Sequence, residues 1–239
     1  FLMGSTPEEI EAALPIAGDD QTWQDCIRSE GPLHQVILTQ PFYLGTNEVT
    51  QSQFQQIMEA NPSRFAASGE WADSVKGLET KSFPVESVDW ASARDFCQQL
   101  ANREGLQPTA SNTNGLRLPF GTDPYRLPAE AEWEFACRAG SATQFSTGDT
   151  SASLSKVGWF DDNSSERTHA IAELPANAFG LHDMHGNVWE WVLDAWQADR
   201  YAARAEKRAI DPFDPMTKDS EPLTRGGNWS SYAEACRSA

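Results

Sequence analysis

The sequence predicts an α+β domain with about three helices and short strands, poor in regular secondary structure. Three observations carry that prediction. Three segments pair a helix-start signal with an apolar stripe at helical spacing, and all three lie before residue 141. Beyond that point, short aromatic runs alternate with turn residues. The chain also holds nine tryptophans, 16 glycines and 14 prolines in 239 residues, so bulky rings fill a core laced with turns.

The chain opens on Phe1-Leu2-Met3-Gly4-Ser5, which reads as a strand entered midway. Residues 6–32 are polar and acidic with little periodicity and read as a surface excursion. His34 to Glu48 is strand-like, with Val36, Leu38 and Phe42-Tyr43-Leu44 as its apolar positions. Thr50-Gln51-Ser52-Gln53 has the capping-box pattern, and Phe54, Ile57 and Met58 give the first helix one buried stripe, ended by Asn61-Pro62. Asp89 caps the second helix, lined by Trp90, Ala93, Phe96, Cys97 and Leu100 and stopped by Gly105. Residues 106–124 read as a loop insertion carrying Arg117-Leu118-Pro119, echoed by Arg126-Leu127-Pro128.

The third helix has Pro128 near its first turn. Glu130, Glu132 and Glu134 load its early half, Arg138 lies near its end and Gly140 just past it, which suits the helix dipole. Trp133 and Ala136-Cys137 form its inner face. Trp159-Phe160 and Val188-Trp189-Glu190-Trp191-Val192 read as short strands, residues 195–224 as a long surface loop, and Arg225-Gly226-Gly227-Asn228-Trp229 as the entry to another strand. The whole of 1–239 reads as one domain, cut at both ends.

Hydrophobic residues make up 39% and charged residues 22%, the balance of a globular chain. No apolar run approaches the roughly 18–20 residues of a membrane helix, so no membrane-spanning segment is expected. The net charge of −17 argues against nucleic acid and anionic membrane as partners, because neutralising phosphates takes clustered Lys and Arg. Cys26, Cys97, Cys137 and Cys236 contain no Cys-x-x-Cys pair, which speaks against a zinc ribbon. His182 and His185 are spaced i, i+3 without an evident third metal ligand, and read as hydrogen-bonded or solvent-facing.

Six segments stand in an order that points to a family. They are Phe1-Leu2-Met3-Gly4-Ser5, Glu48-Val49-Thr50-Gln51-Ser52-Gln53-Phe54, Phe83-Pro84-Val85-Glu86-Ser87-Val88-Asp89-Trp90, and Tyr125-Arg126-Leu127-Pro128-Ala129-Glu130-Ala131-Glu132-Trp133-Glu134-Phe135-Ala136. Asn177-Ala178-Phe179-Gly180-Leu181-His182-Asp183-Met184-His185-Gly186-Asn187-Val188-Trp189-Glu190-Trp191 follows, and then Arg225-Gly226-Gly227-Asn228-Trp229. In these the chain resembles the formylglycine-generating enzyme, or sulfatase-modifying factor, family. The resemblance implies a C-type-lectin-like fold.

It also implies an activity, the copper- and oxygen-dependent conversion of a sulfatase cysteine to formylglycine. The family's copper is held by two thiolates spaced Cys-x4-Cys after a Gly-Gly-Ser motif. Aligned on Gly226-Gly227, the second thiolate falls on Cys236, the first on Ser231, and the motif serine on Asn228. A hydroxyl is a hard, weak ligand that does not replace a thiolate on Cu(I). Two readings therefore stand. One is a diverged binding or recognition module with a ligand groove at Asn228, Trp229 and Ser231 and a peptide or protein such as a sulfatase as partner. The other is the copper-dependent oxidase, with Cys236 as its remaining catalytic residue.

The resemblance further implies a structural calcium held by the side chains of Asp183 and Glu190 and the carbonyls of Gly186 and Val188. Hard oxygen donors on a tight turn are what Ca2+ takes. A second calcium site would fall on Asp161, Asp162 and Asn163, with a poor match. Cys97 and Cys137 resemble disulfide positions of secreted members, with partners beyond residue 239. A buried free thiol is the other reading.

Overall fold

A computed structural model describes residues 1–107 and 123–239. It has the expected α+β class, with short strands and mostly irregular connections. The three expected helices are Gln51–Met58, Trp90–Arg103 and Glu130–Arg138, called α3, α4 and α5 below. Thr50 and Gln53 close the α3 capping box, and Asp89 caps α4 through the amide of Ser92. The loop insertion and its Arg117-Leu118-Pro119 echo lie largely outside the described residues.

Residues 6–32 fold against the surface-excursion reading. They form helices α1 (Pro7–Ala13) and α2 (Gln21–Ser29), joined by a 3-10 turn. Thr6 and Glu9 make a reciprocal capping box with Pro7 in the first turn. Ala13, Ala17 and Ile27 then form a small core of their own with Ile10, Leu14 and Trp23 beside it. Residues 195–224 also hold a helix, Arg200–Ala205 (α7), after the one-turn α6 (Ser151–Leu154).

Strand β1 (Leu2–Met3) pairs antiparallel with β2 (His34–Ile37), which pairs parallel with β6 (Ala209–Ile210). Strand β3 (Gly158–Trp159) pairs parallel with β4 (His185–Gly186), and β5 (Glu190–Ala195) antiparallel with β7 (Pro222–Arg225). The expected strand entry at 225–229 is therefore a strand exit. Chain direction changes at Gly226 and Gly227, whose φ angles are +93° and +75°.

Helix α5 sits at the centre, buried nearly all round. Trp133 is fully buried against Ala136, Cys137, Leu181, Met184 and Val192. Glu130 and Glu132 in the first turn of α5 and Arg138 in its last keep the dipole-matched order, but the acids do not face solvent. Glu130, Glu132 and Glu134 are all buried and paired with arginines. Glu134 accepts from the Gly4 amide at 2.8 Å, Arg138 Nε at 2.8 Å and Arg225 Nη2 at 2.7 Å. Arg225 also donates to the Ser238 carbonyl at 2.7 Å. One carboxylate thus ties β1, α5, β7 and the C-terminal segment together.

Asp194 on β5 accepts from the amides of Glu130 and Asp214 at 2.8 and 3.0 Å. Burial, reinforced by the nearby Glu130, pushes its carboxyl up to about 7 from an ordinary 3.8. The folded state holds this proton more tightly than the unfolded one. The contribution is therefore complete below the unfolded value and is lost as pH rises through about 7. In urea melts, wild type should gain about 2 kcal/mol relative to Asp194→Asn between pH 8 and pH 5. A pH-independent difference would remove the assignment.

Candidate functional site: an aromatic-walled cavity over buried carboxylates

The strand exit at Gly226-Gly227 delivers residues 228–230 to the rim of a cavity of about 590 Å3. Trp71, Trp189, Trp191 and Trp229 stand on its walls, with Glu48 and Glu190 among its lining residues. Phe65 and Trp71 meet the Trp229 ring edge-on, at 5.2 and 6.0 Å between centroids. The Trp191 indole N–H is fixed on the Val88 carbonyl at 2.9 Å. Trp189 remains 41% exposed.

Asn228 and Trp229 both line this cavity, whereas Ser231 does not. Ser231 Oγ accepts from the Asn228 amide at 3.0 Å and donates to Asn228 Oδ1 at 2.9 Å. Asn228 Oδ1 also accepts from the Ser230 amide at 3.0 Å. Asn228 therefore spends its carbonyl oxygen on shaping its own turn.

Cys236 lies fully buried on the far side of that turn, beside Phe145, Leu154 and Phe160. A Cβ on Gly227 would stand 2.5 Å from its sulfur, so glycine is required there for packing as well as for φ. Burial pushes the Cys236 thiol up to about 12, with the Asn228 amide opposing. Ser231 and Cys236 thus flank the same Asn228 amide, one as an alcohol and the other as a neutral thiol. All four cysteines are free, and burial likewise raises Cys137 to about 12.

The predicted calcium ligands fall beside the cavity floor. Asp183 and Asn187 adopt left-handed backbone, at φ +58° each, on either side of β4. Asn187 is held in that form by bonds from the His169 amide and to Glu48 Oε2, at 2.9 and 2.8 Å. Gly186 brings its backbone so close to Trp159 that a Cβ would lie 2.0 Å from the Trp159 carbonyl oxygen. Its glycine is thus required by the β3–β4 pairing itself. Glu190 accepts the Trp133 indole N–H at 3.1 Å.

Sequence reasoning missed Glu48. It accepts from Asn187 Nδ2 and the Val188 amide, and faces Asp183 and Glu190 electrostatically. Its carboxyl is raised well above the usual range, by burial first and then by those two acids. Burial also raises Asp183, and raises Glu190 to about 7. Asp183 Oδ1 is buried without a hydrogen-bond partner, while Oδ2 accepts from the Ala172 amide at 2.8 Å.

Hard oxygens, an orphaned carboxylate oxygen and mutual repulsion all suit a divalent cation. Among the described residues, though, no three His, Cys, Asp or Glu side chains converge into a formed metal site. The fit is one of donor chemistry, not of a ready coordination shell. Asp161, Asp162 and Asn163, the residues of the expected second site, are placed differently from the first. Both aspartates are exposed, and Asn163 is consumed by the Phe160 amide and the Gly158 carbonyl.

The histidines are engaged elsewhere. His185 Nδ1 donates to the Cys236 carbonyl at 2.8 Å, so Nε2 is the acceptor for the Ser146 amide at 3.1 Å. Burial lowers its pKa to about 4, which keeps the ring neutral. His182 Nδ1 lies 2.8 Å from the Leu174 carbonyl oxygen.

Residues 2–239 match the family model described as the sulfatase-modifying factor enzyme 1-like domain. The chain belongs to this family. It is 29% identical to the chaperone protein LppX of Paenibacillus barcinonensis, over 80% of this chain and 70% of that one. It is 28% identical to the serine/threonine-protein kinase pkn1 of Chlamydia pneumoniae over 89% of this chain, and spans only 32% of that protein. The inactive C-alpha-formylglycine-generating enzyme 2 of Bos taurus is 27% identical over 83% of this chain and 75% of its own length. Among solved structures, Treponema denticola variable protein 1 superposes with a TM-score of 0.74 and 27% identity, over 100% of this chain and 84% of that one. Among the described residues no helix is long and apolar enough to cross a membrane.

Proposed function

We propose that this family domain is a binding module, which offers the aromatic-walled cavity to a peptide or protein ligand and does not run the family's copper oxidation. One observation carries the reading. Where the resemblance requires a copper thiolate, the Ser231 hydroxyl is locked onto Asn228, and its partner Cys236 is a buried neutral thiol. A lone, protonated sulfur is a poor Cu(I) site. The names chaperone and inactive enzyme, carried by two relatives, agree with a role without this chemistry.

The reading is tested with Cu(I), oxygen and a peptide containing Cys-x-Pro-x-Arg. Mass spectrometry should show no thiol-to-aldehyde conversion by the wild-type chain. Ser231→Cys should bind Cu(I) more tightly than wild type in a chelator competition, because it restores the Cys-x4-Cys pair. Aldehyde formed by the wild type would overturn the module reading in favour of the oxidase.

We also propose calcium as a structural cation at the carboxylate group. Asp183 and Glu190, with the carbonyls of Gly186 and Val188, would hold it, and Glu48 would add a third carboxylate. Supporting this are the orphaned Asp183 oxygen and three neighbouring acids with no ion-paired base among the described residues. Saturating calcium should raise the wild-type thermal midpoint by about 5–10 °C over chelator. Glu190→Ala should abolish that difference. An equal rise in both proteins would take Glu190 out of the site.

A further inference from the structure

We infer that Asn187 is the positioning residue that couples the carboxylate group to the aromatic cavity, so that a divalent cation at the one fixes the Trp229 wall of the other. This rests on the binding and calcium readings above and deepens them by naming how one site acts on the other. The hydrogen bonds around Asn187 carry the inference. The residue is fully buried, with left-handed backbone at φ +58°. Its amide donates to the Trp159 carbonyl at 2.7 Å, and its carbonyl accepts the Trp229 amide at 2.9 Å. Its side chain accepts from the His169 amide at 2.9 Å and donates to Glu48 Oε2 at 2.8 Å. Asn187 thus meets a cavity tryptophan with its backbone and a cavity carboxylate with its side chain.

Peptide planarity makes these contacts act together. The carbonyls expected on the cation, those of Gly186 and Val188, belong to the peptide planes on either side of the plane that joins Asn187 to Val188. That middle plane gives its carbonyl to the Trp229 amide and its N–H to Glu48 Oε1, at 2.9 and 3.3 Å. A cation that holds the two outer planes therefore holds the middle one, and with it the bond to Trp229. The Gly186 amide adds a second grip on the same turn, at the Gly226 carbonyl, 2.7 Å away.

The stretch that supplies the cation donors is also cavity wall, because Val188, Trp189, Glu190 and Trp191 all line the cavity. A cation supplies the partner that the buried Asp183 Oδ1 lacks, and so gives this stretch a fixed anchor. From there the Asn187 bonds carry order across to Trp229, on a different strand exit. Linkage then makes the effect mutual. An occupant that binds the ordered wall strengthens cation binding by the same factor by which the cation strengthens binding of the occupant.

The test is amide-resolved hydrogen exchange on the whole chain, with calcium alone as the probe against chelator. In the wild type, calcium should slow exchange at least ~10-fold in residues 183–191 and also at the Trp229 amide. Asn187→Gly keeps the left-handed backbone and removes the side-chain bonds. It should retain the calcium effect in 183–191 and lose it at Trp229, to less than ~2-fold. Glu48→Gln, which leaves residue 187 in place and weakens the anchor of its side chain, should shrink the effect at Trp229 as well. An effect at Trp229 as large in both variants as in the wild type would overturn the role of Asn187. Wild-type protection of 183–191 without Trp229 would overturn the coupling and leave the calcium reading standing. An equal slowing at the Ile10 amide of α1, which packs in a separate small core, would mark general stabilisation and overturn the coupling too. No protection in either segment would overturn the inference together with the calcium reading. The module reading is judged separately, by the aldehyde assay.

Discussion

The pairing of Glu134 with Arg225 and Arg138 is the constraint on which the rest of this structure depends. Elements this short bury little surface of their own, and most of the strands have only two to four residues. A fully buried carboxylate with two partners from distant parts of the chain, Gly4 and Arg225, and a third, Arg138, one turn along its own helix substitutes for extended sheet pairing. It holds the first residues against α5 and fixes Arg225, the last residue of β7. Arg237 extends the same clamp from the C-terminal segment to Glu30, at 2.8 Å, and to Ser5. Such a network is costly to break, because each lost partner leaves a buried charge uncompensated.

That clamp has a consequence for chemistry. Arg225 and Ser238 anchor the two ends of the segment that carries the turn after β7. Gly226 and Gly227 set the turn, and Asn228 and Ser231 close it with their own hydrogen bonds. A scaffold of this kind keeps the place where a metal-binding thiolate pair stands while carrying an alcohol in it. The neighbouring cavity takes Asn228 and Trp229 from this segment, while Trp71, Trp189, Trp191, Glu48 and Glu190 come from elsewhere in the chain. Ser231 and the aromatic-walled cavity thus stand side by side within one fold.

Much of this was legible in the chain. The caps at Thr50 and Asp89 and the Pro128-to-Gly140 frame marked the three principal helices, and of the residues expected at a groove Asn228 and Trp229 line the cavity whereas Ser231 does not. What escaped notice has physical reasons. Helices α1 and α2 bury only a narrow stripe, so polar residues dominate their sequence, although Thr6-Pro7-Glu8-Glu9 was a readable start signal. The acids of α5 look like surface charges until the arginines that neutralise them arrive from residues 126 and 225. Glu48 opens one of the family-resembling segments, but nothing local marks it as a site residue. Its role arises because Asn187 and Val188, about 140 positions later, fold against it. Two-residue strands such as β3 and β4 are likewise defined by their partner, not by a periodicity of their own.

The most direct test of the clamp is native-state hydrogen exchange on Glu134→Gln, which keeps the shape of the side chain and removes its charge. The variant should lose about 3–5 kcal/mol of stability. Amides from Gly226 to Cys236 should exchange markedly faster than in the wild type, since Arg225 no longer has its carboxylate. Unchanged protection in that segment, with stability within about 1 kcal/mol of wild type, would contradict the account, because the segment would then hold its path without the charge.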